Sequence, residues 1–170
     1  HGVTRDFNKK KYGEWFYKQI ELGLNYRMTD ISAALGLSQL KKLNFFLKSR
    51  REIATLYNSL LSELPLKRPF TDKANKSSWH LYVVNFDSRK SKGEDTRNII
   101  YKDLINNGFG VNVHYIPIHT HPFYKKLGFN KGDFPNSENY YDTALSLPIF
   151  PNLKEKDQIK VVEIIKSNLL

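Results

Sequence analysis

An α/β fold is predicted for this chain, on three observations. A long apolar-striped helical region opens at Thr29, a strand, helix, strand succession follows between Trp79 and Tyr115, and an amphipathic helix closes the sequence. The 170 residues suffice for one ordinary domain with a buried core.

Residues 1–28 form an irregular segment: Phe7, Tyr12, Trp15, Phe16 and Tyr17 stand among Lys and Gly without steady periodicity. From Thr29 to Leu64 the pattern is helical. Ile31, Ala34 and Leu35, then Leu40, Leu43 and Leu47, recur at three and four residues, with Thr29 or Asp30 as N-cap. A second phase, Phe46, Ile53, Tyr57, Leu60 and Leu64, runs to Pro65, so one long helix or two nearly continuous ones, breaking near Asn44, are expected. "RPFTDKANKSS" reads as a loop.

Residues 79–170 make up a small α/β domain. "WHLYVVNF" (79–86) is rich in β-branched and aromatic residues. "FGVNVHY" (109–115) alternates, with Val111, Val113 and Tyr115 on one face and Asn112 and His114 on the other, so both are read as strands. Between them "EDTRNIIYKDLINNG" is a helix ended by Gly108. "SENYYDTALSLPIF" reads as a short helix running into an extended piece stopped by Pro148 and Pro151. The last helix carries Ile159, Val162, Ile165 and Leu169 on one face.

Composition excludes several classes of chemistry. There is no cysteine, which removes disulfides, thiolate metal sites and cysteine nucleophiles together and suits a reducing compartment. No apolar run approaches the roughly 20 residues that span a bilayer, so a soluble, cytoplasmic protein is expected. Lys and Arg outnumber Asp and Glu by 27 to 17, a surplus that attracts polyanions. The basic residues are scattered in "NKKKY", "LKKL", "LKSRRE" and "SRKSK" rather than gathered on one helix, which favours a solvated surface. A small basic binding domain for nucleic acid or another polyanion stands as the alternative, with "FNKKKYGEWFYK" as its stacking platform, although no RRM-like aromatic motif or helix-turn-helix signature accompanies it.

Candidate site residues fall in two stretches. "VHYIPIHTHPFY" holds His114, His119 and His121. Metal ligation is disfavoured, since no cysteine joins them, Pro117 intervenes and no carboxylate has ligand-like spacing. Two readings stay open: turn-capping and strand-end histidines satisfied by neighbours, or a pocket rim formed by His114, Tyr115 and His119. The second stretch is "GLNYRMTD", where Asn25, Tyr26 and Arg27 precede a helix start. An amide donor, a guanidinium fork and free helical N–H groups make a seat for phosphate or carboxylate; the alternative is a helix-entry loop with Arg27 paired to Asp30. No nucleophile elbow, phosphate loop or dinucleotide turn is present, so spacing alone offers no complete active site.

Seven stretches in order, "HGVTRD", "WFYKQIELGLNYRMTDISAALGLSQLKKL", "RREIATLYNSLL", "SSWHLYVVNF", "VHYIPIHTHPFYKKLGF", "GDFPNSENYYDTALSLPIFPNL" and "KDQIKVVEIIK", resemble the C-terminal part of the DegT/DnrJ/EryC1/StrS nucleotide-sugar aminotransferases. Within that family the stretches resemble most the branch of pseudaminic acid synthesis. The resemblance implies the C-terminal small domain of an aspartate-aminotransferase-like, type I pyridoxal phosphate fold, a long helix followed by a small mixed or antiparallel sheet with helices packed on it. It implies pyridoxal 5′-phosphate as cofactor, a homodimer with a shared active site, and amino transfer from glutamate to the 4-keto group of a UDP-linked sugar.

By the same resemblance Asn25 and Arg27 are cofactor-binding, Asn25 reaching the phosphate in the other subunit, and Tyr26, His114, Tyr115 and His119 contact substrate. The Schiff-base lysine of the family is expected upstream of His1, so no catalytic residue is assigned. With no initiator Met and only Met28, the chain reads as a piece of a longer polypeptide, inactive alone. Residues 1–28 would then pack on a cofactor domain and dimer mate, and their exposed apolar surface should drive self-association. A relative that kept the fold and lost catalysis is a further alternative.

Overall fold

The structure, a computed structural model, describes residues 2–4, 13–72, 74–86 and 96–170. The chain divides into two compact units, His1–Leu43 and Asn44–Leu170. Of the aromatic segment at the start, Phe7 and Tyr12 lie outside the described residues, as does the beginning of the helix predicted from Glu94.

In the first unit, β1 (Val3–Thr4) pairs antiparallel with β2 (Lys18–Gln19). An extended run leads to α1 (Asp30–Leu40). Thr29 caps it from extended geometry, its hydroxyl accepting the Ser32 N–H at 3.2 Å, and Asp30 in the first turn suits the helix dipole. No residue of α1 is buried, and Ile31, Leu35, Leu37 and Leu40 are each more than 60% exposed. The apolar stripe that predicts the helix is therefore left bare.

After a two-residue turn at Lys41 and Lys42 comes α2 (Leu43–Leu60), all but the first residue of which belongs to the second unit. That turn is the predicted break, placed two residues early. The helix ends at Leu60 rather than at Pro65; a turn through Leu61–Leu64 carries the chain to β3 (Leu66–Lys67), a strand the sequence did not announce. β4 (Tyr82–Phe86) is shorter than the predicted 79–86 and buries Tyr82, Val84 and Phe86 on one face. Next come α3 (Thr96–Asn106), a 3-10 turn at Ile118–Thr120, the single turn α4 (Pro122–Lys125), α5 (Pro135–Thr143), β5 (Ala144–Leu147) and α6 (Glu155–Leu169).

β3, β4 and β5 form an antiparallel sheet in that order, with Leu66 opposite Phe86 and Val83 opposite Ser146. The predicted strand at 109–115 is reduced to one bridge, Asn112 opposite Ser146 on the free edge of β5. Asn112 and β4 both run antiparallel to β5, so the predicted strand, helix, strand unit exists with β5 inserted between its two strands. Alternation also misplaced Tyr115, which is 73% exposed while Val111 is buried.

α3 ends in a Schellman motif: Gly108, at φ +83°, donates to Ile105 O and Phe109 to Leu104 O, both at 2.9 Å. Ile100 and Leu104 of α3 pack on α6, which contributes Val161 and Ile165. The buried face of α6 is Gln158, Val161, Val162, Ile165 and Leu169; Ile159, expected on it, lies 37% exposed, because the true stripe is turned by one residue. Gln158 is tolerated inside because its amide donates to Ile53 O at 3.0 Å. Tyr57 of α2 and Tyr82 of β4 complete the core with rings 5.0 Å apart.

Candidate functional site

The first unit carries Asn25, Tyr26 and Arg27 on the extended run before α1. Asn25 adopts φ +59°, a left-handed conformation that asparagine tolerates better than most residues. All three side chains are exposed, Tyr26 at 88%. Among the described residues none of their polar heads has a hydrogen-bond partner, and Arg27 forms no ion pair with Asp30. Thr29 already satisfies the Ser32 amide, so the Asp30 and Ile31 N–H groups are the open donors of the first turn. The donor set of an amide, a guanidinium and a phenol matches a phosphate-like anion in chemistry.

The second unit holds His114, Tyr115 and His119. The Asn112 bridge ties the 109–115 segment to β5, and Asn112 Oδ1 accepts the Val113 N–H at 2.8 Å. His114 Nδ1 lies 2.8 Å from Ser146 Oγ, and its ring stands edge-on to Tyr115 at 4.6 Å. His114 lines a groove of about 710 Å³, with His80, Asn112 and Lys160 among the other polar side chains of its wall. Lys160 is held over the Phe109 ring at 5.8 Å.

His119 stands apart from this arrangement. Expected at a pocket rim with His114 and Tyr115, it lines a different cavity and is 7% exposed, with Nε2 2.7 Å from Glu138 Oε1 and its ring 4.8 Å from Phe134. The same Glu138 oxygen accepts the Gly132 N–H at 2.7 Å. That backbone bond, first, and the His119 hydrogen bond, second, hold the Glu138 carboxyl below the usual carboxylate range. His119 and Glu138 thereby pin both ends of the excursion between Pro117 and α5, and His119 itself lines an apolar cavity of about 340 Å³ with Ile118, Tyr124 and Phe129. His121 is exposed at the entrance to α4. Among the described residues no group of three His, Asp or Glu side chains could hold a metal, and no helix is long and apolar enough to cross a membrane.

Sequence reasoning missed several of these residues. Ser146 and Glu138 carry no local signal, since each is defined by a partner 32 or 19 positions away. Arg50 and Arg51, read as solvated charge, bind backbone carbonyls: Arg50 Nη1 meets Trp79 O, His80 O and Ile149 O at 3.0, 3.3 and 2.9 Å, and Arg51 Nε meets Ser77 O at 3.1 Å.

A family model, the DegT/DnrJ/EryC1/StrS aminotransferase family, matches residues 1–166. The spore coat polysaccharide biosynthesis protein SpsC of Bacillus subtilis is 40% identical over 98% of this chain and 44% of its own length. The UDP-4-amino-4,6-dideoxy-N-acetyl-β-L-altrosamine transaminase of Campylobacter jejuni (serotype O:2) is 37% identical over 92% of this chain and 39% of its own. Among solved structures, a Streptococcus pneumoniae protein assigned as a sugar aminotransferase, in its PMP form, superposes with a TM-score of 0.86 at 30% identity, covering 98% of this chain and 42% of that one. The chain thus spans less than half the length of the relatives it matches.

Proposed function

Because this chain belongs to the DegT/DnrJ/EryC1/StrS aminotransferase family, we propose that it is the C-terminal part of a pyridoxal phosphate-dependent aminotransferase acting on nucleotide sugars. Its fold is that of the C-terminal part of type I aminotransferases. The reaction we propose moves an amino group from glutamate to the 4-keto group of a UDP-linked 4-keto-6-deoxy sugar, in the cytoplasm, on the way to a surface polysaccharide or pseudaminic acid. The observation that carries this reading is the family match, which runs almost end to end through the chain.

In the proposed enzyme two subunits share each site, and residues 1–28 pack on the cofactor domain and the dimer mate. The bare apolar side chains of Leu22, Leu24 and Met28 support that role, since a surface of this kind is unfavourable in water. Asn25 and Arg27, unpartnered and exposed, would hold the cofactor phosphate of the partner subunit through an amide donor and a guanidinium fork. Bound pyridoxal phosphate would supply the electron sink for amino transfer. Tyr26, His114 and Tyr115 would face the nucleotide sugar. His119 serves best as a brace for the loop that follows Pro117, because its Nε2 is already committed to Glu138. The lysine that carries the cofactor would come from the part of the enzyme this chain does not span, so the chain alone should not transaminate.

A polyanion-binding reading draws no support from Arg50 and Arg51, whose guanidinium groups are spent on carbonyls within the chain. The test is Asn25→Ala in the complete enzyme. Loss of one hydrogen bond to a charged group, worth about 1.5–3 kcal/mol, should weaken cofactor retention roughly tenfold to a hundredfold, read from visible absorbance after dialysis. Unchanged retention removes Asn25 from the phosphate seat.

A further inference from the structure

β5 is buried at all four positions, and three of its residues are aliphatic. The exception is Ser146, 4% exposed. A hydroxyl in such a strand is unfavourable unless it is hydrogen-bonded. The Ser146 backbone is engaged on its own account, the N–H donating to Asn112 O at 2.8 Å and the carbonyl accepting the Asn112 N–H at 3.4 Å. The side chain has a single partner among the described residues, His114 Nδ1 at 2.8 Å.

That single contact decides who donates. An unprotonated imidazole nitrogen only accepts, whereas a serine hydroxyl carries one proton that needs an acceptor. If Nδ1 bore the imidazole proton, the buried hydroxyl would accept it and its own proton would be left with no acceptor. The satisfied arrangement has Oγ–H donating to Nδ1, which puts the ring proton of neutral His114 on Nε2. The edge-on Tyr115 ring at 4.6 Å limits rotation of the same imidazole.

We propose that Ser146 is a positioning residue that fixes His114 as an Nε2–H donor at the groove, for an acceptor oxygen of the nucleotide sugar, a phosphoryl or hydroxyl oxygen. The proposal rests on the reading of His114 as a substrate contact.

The experiment compares Ser146→Ala, Ser146→Thr, His114→Ala and the Ser146→Ala/His114→Ala double variant of the complete enzyme. Ser146→Ala should raise KM for the nucleotide sugar about fivefold to tenfold, the worth of one neutral hydrogen bond, with kcat and the KM for glutamate little changed. Ser146→Thr, which keeps the hydroxyl, should recover most of the loss. On the His114→Ala background Ser146→Ala should add nothing, because the effect passes through the imidazole. An additive double variant, or a Ser146→Ala enzyme with normal KM beside an impaired His114→Ala enzyme, overturns the proposal. A normal KM in His114→Ala instead refutes the substrate-contact reading. A crystal structure of Ser146→Ala then judges positioning separately: a rotated or multiply placed His114 ring supports it, and an undisturbed ring overturns it.

Discussion

Replacing Arg50 by alanine should destabilise the second unit by about 3 kcal/mol, and the magnitude follows from hydrogen counting. One guanidinium nitrogen, Nη1, faces the carbonyls of Trp79, Ile149 and His80 at 3.0, 2.9 and 3.3 Å. It carries two hydrogens, so the two shorter contacts count as full bonds and the third as shared. Two hydrogen bonds from a charged donor contribute about 3–6 kcal/mol, and because Arg50 is half-buried and water can reach the freed carbonyls, the lower end applies. The assay is urea unfolding of the 170-residue chain followed by Trp79 fluorescence, in a Trp15→Phe background because the chain has two tryptophans. Trp79 reports the region directly, lying 5.5 Å from the Tyr82 ring and next to the carbonyls in question. Lys48→Ala is the control, since its ion pair to Glu52 at 3.9 Å is largely exposed and should be worth about 0–1 kcal/mol. An Arg50→Ala protein no less stable than the Lys48→Ala protein refutes the reasoning.

Two further outcomes concern pH. Burial, and secondarily Tyr82, pushes the Tyr57 phenol well above its ordinary value, and its hydroxyl donates to Pro148 O at 3.0 Å. A raised folded-state pKa means that this stability is fully present below the unfolded value of about 10 and is lost as pH rises beyond it. Tyr57→Phe should cost about 1–2 kcal/mol at neutral pH and flatten the alkaline loss in urea titrations; an unchanged alkaline limb argues against it. Glu138 works in the opposite sense: its carboxyl is held low, so its contribution is present above the ordinary carboxylate value and disappears as pH falls through the folded one. Amide exchange at Gly132 should lose protection on acidification in the wild type and show no such step in Glu138→Gln; the same step in both proteins would exclude Glu138 as its origin.

Legibility followed the range of the interaction. The N-cap at Thr29, the break after Leu40 and the Gly108 stop depend on neighbours within five residues, so the sequence displayed them. The one-residue turn of the α6 stripe shows where this fails: Val161 and Ile159 are equally apolar, and which of them is buried depends on the α3 surface it meets. The 109–115 segment alternates like a strand, yet only Asn112 pairs with a strand through its backbone, in a single bridge to β5. Tyr115, beyond that bridge, is left in solvent.

By itself the sequence determined the long helices and the β4 strand in their order, the family, and the pair of polar stretches in which candidate site residues fall. Those properties depend on short-range periodicity and on motifs read along the chain. Tertiary structure alone decided that β5 lies between β4 and Asn112, that Arg50 and Arg51 bind carbonyls, that His119 turns inward to Glu138, and that Ser146 holds His114. Each of these is a meeting of groups 19 to 99 residues apart, where hydrogen-bond satisfaction in a buried setting outweighs any preference the residues express locally.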